Sequence, residues 1–182
     1  MSMAPDPHAI TAAHSAYQRG RAKLALTHAA PALAYTAVAL LAGSDPRAVW
    51  FGMAAFLAGT LAVFLGGAFG RAVLPALVYG ALPFAVTHVV QSFGHVCVAG
   101  ACMSWCMPAC AATGLLIGVA FARRAERDRD PLLFFVAGFP LIVATGALGC
   151  RCLGYGSVAG LALGMLLVSL PAIPRWVSVR TA

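Results

Sequence analysis

Long apolar segments separated by short polar connections fill most of the chain. Several of these segments approach or exceed the roughly 20 residues that cross the hydrocarbon core of a bilayer. The strict alternation of polar and apolar residues that marks membrane strands is absent. Helices satisfy their own backbone hydrogen bonds in lipid, so the pattern predicts an all-α integral membrane bundle of about six transmembrane helices. The predicted spans cover residues 24–43, 49–70, 72–94, 106–122, 131–149 and 153–173.

Polar tails flank the predicted transmembrane domain, which covers residues 24–176. Residues 1–23 are expected to form a cytoplasmic N-terminal tail, and its stretch Ala9–Lys23 suits a short helix. Residues 177–182 form the expected C-terminal tail, also cytoplasmic. A cleaved signal peptide is not expected, because the polar start is long and the apolar run after it has the length of a helix.

Composition supports a membrane protein over a soluble one. Hydrophobic residues make up 62% of the chain and charged residues only 9%, whereas a soluble domain carries roughly 25% charged residues. The net charge of +7 would point to nucleic acid in a soluble protein. Here the basic residues flank apolar spans, so we expect contact with the lipid bilayer and no direct nucleic-acid partner.

The cations set the expected orientation. With the N-terminus inside, ten of the twelve Lys and Arg residues fall on the inner side, and only Arg47 and Arg151 fall outside. Because the loops are short, this bias predicts that both termini are cytoplasmic in the inner membrane of a bacterium. The ten inner cations are Arg19, Arg21, Lys23, Arg71, Arg123, Arg124, Arg127, Arg129, Arg175 and Arg180.

All six cysteines then fall on the outer side, in two clusters that two loops bring to one face. The first cluster lies between spans 3 and 4, and the second between spans 5 and 6. They are Cys97, Cys102, Cys106 and Cys110 in the first cluster, and Cys150 and Cys152 in the second. In an oxidising compartment an even number of cysteines is typical of disulfides, but fifteen connectivities are open.

Soft-metal binding is a second interpretation of the cysteines. If residues 102–110 are helical, Cys102, Cys106 and Cys110 recur along one face, with Met103 and Met107 beside them. His95, just after the preceding span, and His88, two turns below it on that span and near the same face, are further candidate ligands. Thiolate, thioether and imidazole groups suit copper(I) or zinc as a cofactor. A Cys-x2-Cys pair of the zinc-finger kind is missing.

Redox sensing by disulfide exchange is the third interpretation, and catalysis is not expected. Thioredoxin-type catalysts use the missing Cys-x2-Cys pair. The predicted spans contain no Asp, Glu, Lys or Arg, which argues against a proton-coupled transporter. Glu126 is the one glutamate and lies in a charged loop, so acid–base catalysis has little to use and no catalytic residue is identified.

The chain resembles the six-helix membrane anti-sigma factors of proteobacteria. The matching features are Cys110, the pair Arg123-Arg124, the pair Gly149-Cys150 and the motif Pro174-Arg175-Trp176, over roughly the last two spans. The resemblance implies that the N-terminal tail holds a sigma factor at the membrane and that a thiol event outside releases it. The cytoplasmic His-x3-Cys-x2-Cys motif of the other anti-sigma class is absent.

The preferred hypothesis is therefore a membrane sensor of soft metal or oxidant that signals to a cytoplasmic partner. The expected docking residues in the tail are Tyr17, Arg19, Arg21 and Lys23. Two alternatives stay open from the sequence. The first is a metal-handling membrane protein without signalling. The second is a disulfide-stapled subunit of a membrane complex or homo-oligomer.

Overall fold

The structure, a computed structural model, describes most of the chain. The backbone is described at residues 7–43, 46, 48–92, 95–98, 101–104, 106–149 and 155–181, and the side chains at 11–43, 46, 49–87, 89, 108–149 and 158–178. Helices account for nearly all of this part. The elements are α1 (Pro7–Leu41), α2 (Ala48–Leu65), α3 (Gly67–Ser92), β1 (His95–Val98), β2 (Ala101–Ser104), α4 (Cys106–Ala125), α5 (Pro131–Leu148), α6 (Tyr155–Ser169), a 3-10 turn (Leu170–Ala172) and α7 (Ile173–Thr181).

Four stretches of helix are long and apolar enough to cross a membrane. They are Thr11–Leu41, Gly67–Thr87, Pro131–Leu148 and Val158–Ser178, and Val49–Leu65 is a shorter apolar helix. Large apolar side chains also point away from the bundle, such as Leu57, Val78 and Leu116, which are 59%, 61% and 69% exposed. Such a surface is stable in lipid and not in water. The predicted class, a helical multi-pass membrane protein, is confirmed.

The first helix is longer than the sequence pattern indicated. A tail helix and a separate first span were expected, but α1 is one continuous helix of 35 residues that includes Pro31. At 1.5 Å per residue it is about 52 Å long, against roughly 30 Å for the hydrocarbon core. Arg21 of α1 lies beside Phe64 at the end of α2. Residues 7–20 therefore extend beyond the α1–α2 pair.

The break between α2 and α3 lies earlier than expected. The sequence analysis placed it at Arg71, with Gly66 and Gly67 inside the second span. The structure ends α2 at Leu65 and begins α3 at Gly67. Gly66 and Gly67 have φ angles of 76° and 60°, a left-handed conformation that glycine adopts without a Cβ clash. Two such residues end one helix and start the next, which leaves Arg71 in the first turns of α3.

The fifth helix forms the centre of the bundle. Its span is 56% buried, compared with 28% for the span of α1. Phe121 of α4 packs on it, with ring centroids 5.3 Å from Phe134 and 5.8 Å from Phe135. Tyr79 of α3 contacts the same Phe121 ring edge-on at 5.7 Å. Aromatic pairs at these distances add to the packing of three helices around one point.

Small residues allow α4 and α6 to approach closely. A Cβ on Gly118 would lie 2.9 Å from the Cα of Met165, and one on Gly164 would lie 2.5 Å from the carbonyl oxygen of Ala111. Gly114 likewise faces the backbone of Leu161. Gly114, Gly118 and Gly164 therefore serve helix packing, as small residues at regular spacing commonly do in membrane helices.

Candidate functional site

The order of helix contacts shows which loops share an end of the bundle. Along α3 and α5, Gly80 packs at Thr145 and Thr87 packs at Gly149, so these two helices run parallel. Along α4 and α6, Gly114 packs at Leu161 and Gly118 packs at Met165, so they also run parallel. The C-terminal ends of α3 and α5 and the N-terminal ends of α4 and α6 therefore lie at one end of the bundle, here called the cysteine end.

The segment between α3 and α4 crosses the cysteine end as a hairpin. Strands β1 and β2 pair antiparallel, and Cys97 lies directly opposite Cys102. His95 lies opposite Ser104 in the same ladder. Since alternate residues of a strand share a face, His95, Cys97 and Cys102 lie on one face of the hairpin.

This hairpin corrects the predicted ligand geometry. Residues 101–104 form β2, and α4 starts only at Cys106, so Cys102 is not on the helical face of Cys106 and Cys110. Met103 lies on the opposite face of the hairpin from Cys102. The cause is local, because β2 pairs antiparallel with β1 before the helix begins.

The histidine positions also change. The sequence analysis placed His88 and His95 two turns apart on one helix. The structure ends α3 at Ser92 and places His95 in β1, so only His88 is helical. Among the side chains that the structure describes, no three His, Cys, Asp or Glu groups come together as a metal site.

The remaining cysteines divide into two groups. On α4, Cys106 and Cys110 are four residues apart and share a face, and Cys110 is only 2% exposed. Met107 follows Cys106 in the first turn of α4. Cys150 and Cys152 lie outside the described residues. Gly149 and Tyr155, which bracket them in the sequence, both belong to the cysteine end.

The opposite end of the bundle, here called the arginine end, contains Arg21, Arg71, Arg124 and Arg175. Arg71 at the start of α3 donates two hydrogen bonds to Asp128 in the loop between α4 and α5, at 2.8 and 2.7 Å. Arg124 lies over the ring of Phe134 at 5.9 Å. Arg175 lines a cavity of about 180 Å³ that Arg123 and Glu126 also line. Basic residues from α1, α3, α4 and α7 thus lie at one end of the bundle.

The Arg71–Asp128 pair is an ion pair with two hydrogen bonds in the described part of the chain. Asp128 is 7% exposed and Arg71 is 49% exposed. The Arg71 hydrogen bond, with help from the Asp130 backbone N–H, lowers the pKa of Asp128 from 3.8 to about 2, while partial burial opposes the shift. The pair ties the start of α3 to the α4–α5 loop. A lone arginine between two apolar spans was the sequence signal for it.

The predicted docking residues lie where α1 leaves the bundle. Tyr17 is 60% exposed, and Arg19 and Lys23 are exposed as well. Arg21 differs, because its guanidinium donates to the carbonyl of Phe64 and lies 5.0 Å from the Phe64 ring centroid. A cation at the end of α2 satisfies a terminal carbonyl. Arg21 therefore fixes α1 to α2, and Tyr17, Arg19 and Lys23 remain accessible.

Comparison with known proteins gives no match: no family model, no curated protein and no solved structure is similar to the chain.

Proposed function

We propose that this chain is a six-span protein of a bacterial inner membrane, with both termini in the cytoplasm, that senses soft metal or oxidant through its outer cysteines. In this proposal it passes the state of those cysteines to a cytoplasmic partner, as a membrane anti-sigma factor would. One observation carries the proposal. The cysteine-bearing connection and the arginine-rich connections lie at opposite ends of one helical bundle.

The six-span count includes α2 and α4 beside the four longer helices. The 17 described residues of α2, Val49–Leu65, reach about 25 Å, which is close to the bilayer core. α4 ends in Arg123 and Arg124, which suit the headgroup region at the arginine end. The net excess of cations at that end favours its cytoplasmic placement.

The relay would use helices that connect the two ends. α3 ends just before the hairpin and begins at Arg71, and α4 begins just after the hairpin and leads to the loop of Asp128. The Arg71–Asp128 pair therefore closes a ring that runs from the hairpin through both helices. A change in the hairpin that shifts α3 against α4 would act on this pair, and then on the exposed part of α1.

Site-specific crosslinking in cells tests this function. A photo-crosslinking residue at Tyr17 is expected to capture a sigma factor, and an oxidant or a copper or zinc salt is expected to reduce the yield. Leu57, which is 59% exposed on α2 in the membrane, is the control position. If the yield of the sigma-factor crosslink does not change with oxidant or metal salt, the proposed sensing function is contradicted. If no sigma factor is crosslinked, the proposed partner is contradicted.

The metal-handling alternative is supported by the shared face of His95, Cys97 and Cys102. Elemental analysis of the purified protein separates it from sensing. A bound metal ion whose removal leaves the Tyr17 crosslink unchanged would favour handling. The stapled-subunit alternative predicts neither bound metal nor any response to oxidant.

A further inference from the structure

The hairpin at the cysteine end has a register that bears directly on its sulfur chemistry. Two residues connect β1 and β2, and Val98 pairs with Ala101 next to this connection. In a two-residue hairpin the pair beside the connection exchanges both backbone hydrogen bonds. The next pair along the ladder, Cys97 and Cys102, is then a non-hydrogen-bonded pair.

Non-hydrogen-bonded pairs are the closest pairs in an antiparallel ladder. Their Cα atoms lie about 4.5 Å apart, which falls within the range of about 4.4–6.8 Å that disulfides require. Hydrogen-bonded pairs have Cα atoms about 5.5 Å apart and hold their side chains further from each other. The register therefore places the Cα atoms of the two cysteines within the range that a disulfide spans.

The two faces of the hairpin also differ in chemistry. One face carries Cys97 and Cys102 together with His95 and Ser104, and the other face carries only apolar residues and methionine. The residues of this second face are Val96, Val98, Ala101 and Met103. An apolar face suits contact with lipid or with the bundle, and the sulfur-bearing face is the one suited to water and to a soluble thiol reagent.

We propose that Cys97 and Cys102 are the reversible dithiol–disulfide pair of this protein. The inference rests on the proposed sensing function and names the two sulfurs that carry it. The oxidant is a small-molecule disulfide. The Cys97 thiolate attacks one sulfur of that disulfide and releases a thiol, and the Cys102 thiolate then attacks the mixed disulfide and releases a second thiol. Two electrons pass from the hairpin to the oxidant, and the two thiol protons leave with the products.

Helix geometry argues against the neighbouring combination on α4. Cys106 and Cys110 are four residues apart on one helix, where Cβ atoms lie about 5–6 Å apart. A disulfide needs Cβ atoms about 3.5–4.5 Å apart. Cys110 is also 2% exposed, so a soluble oxidant does not reach it. Of these two combinations, the hairpin pair is therefore the one with suitable geometry.

Oxidation would close a ring of six residues between the ends of α3 and α4. A short ring of this kind holds the two strands in one register. Reduction would leave the strands with only their backbone hydrogen bonds, and an isolated two-stranded hairpin is marginal. The pair therefore sets how firmly the chain joins α3 to α4 at the cysteine end.

The sequence permits a direct test on the full-length protein. Chymotrypsin cleaves after aromatic residues, and Phe93 and Trp105 bracket a peptide, residues 94–105, that contains Cys97 and Cys102 and no other cysteine. Protein in detergent is treated with oxidised glutathione or with a phosphine reductant. Its free thiols are then alkylated, the protein is digested with chymotrypsin, and the peptide masses are measured by mass spectrometry. We expect the oxidised sample to yield this peptide unalkylated and two hydrogen atoms lighter. The reduced sample is expected to yield it with two alkyl groups.

Two results would overturn the proposal. The first is a peptide 94–105 that stays fully alkylated after oxidation. The second is its recovery in disulfide linkage to a peptide containing Cys106, Cys110, Cys150 or Cys152. The C106S/C110S variant is the control and should form the hairpin disulfide as wild type does.

The experiments distinguish a wrong assignment of the Cys97–Cys102 pair from a wrong sensing function. If the disulfide forms but the Tyr17 crosslink does not respond to it, the assignment of the two sulfurs stands and the sensing function fails. If the crosslink responds to oxidant while peptide 94–105 stays reduced, sensing stands and other cysteines carry it.

Discussion

The contact between α4 and α6 allows a quantitative test of the packing. A Cβ on Gly114 would meet the carbonyl oxygen of Leu161 and lie 3.1 Å from its Cα. Both atoms belong to the backbone, so a Gly114→Ala substitution forces the two helices apart. Overpacking of this kind costs about 1–3 kcal/mol. The higher helix propensity of alanine relative to glycine stabilises the helix by up to about 1 kcal/mol. The net expectation is a loss of roughly 1–2 kcal/mol.

Gly20 offers a matched control for the same substitution. It also lies within a helix, but a Cβ there has nothing within 4 Å. Gly20→Ala should therefore leave the melting temperature in detergent unchanged or slightly raised. For a chain of this size, the loss at Gly114 lowers the melting temperature by roughly 2–8 °C. Circular dichroism during heating measures both variants. If the Gly114→Ala variant had the same melting temperature as the Gly20→Ala variant, the close approach of α4 and α6 would be refuted.

Two further predictions concern the arginine end. Asp128→Asn should lower stability by about 1 kcal/mol at neutral pH, a figure reduced from the full pKa shift because Arg71 is half-exposed. Because the pKa of Asp128 falls from 3.8 to about 2 on folding, the difference in stability should be complete well above pH 3.8 and should be lost as the pH falls through about 2. An Asp128→Asn difference that persists at the lowest pH would contradict the ion pair. Trp176 is 2% exposed and packs on Phe135 at 5.3 Å, so Trp176→Ala should cost on the order of 3 kcal/mol. Trp50→Ala, on a 77% exposed side chain, is the control and should change the melting temperature little.

The fold class could be read from the sequence because lipid restricts the choice of structure. A chain with long uncharged apolar runs has only helices available to it once strand alternation is absent. Spaced glycines such as Gly114 and Gly118 are also a sequence signal for close helix contacts, since they have few other uses in a span. Charge distribution also grouped the arginines, and the structure brings Arg71 and Arg124 to the same end.

The local errors have specific physical causes. Hydropathy does not distinguish a glycine within a span from one that ends it, and so the break at Gly66 was placed too late. A helix over residues 102–110 was considered because Cys102, Cys106 and Cys110 are spaced by four, but residues 101–104 pair as a strand with residues 95–98. Trp176 lies just beyond the last predicted span, residues 153–173, yet its indole lies inside the bundle against Phe135. Each outcome depends on contacts that are distant in sequence or on backbone angles.

The continuous α1 helix changes how a partner would meet the membrane. Residues 7–20 reach about 21 Å beyond the α1–α2 contact at 1.5 Å per residue. Arg21 anchors this extension at the end of α2. A partner bound to Tyr17 or Arg19 would therefore meet a rigid helix attached to the bundle, and not a loose tail. This geometry favours transmission of a change in the bundle to the bound partner.

Sidedness of the two ends is the central claim, and cysteine labelling in intact cells measures it most directly. One variant keeps Cys97 and replaces the other five cysteines with serine. A second variant replaces all six and carries Ser15→Cys on the exposed part of α1. A membrane-impermeant maleimide should label Cys97 in intact cells and should label position 15 only after the cells are permeabilised. Labelling of both positions from outside, or of position 15 alone, would contradict the account.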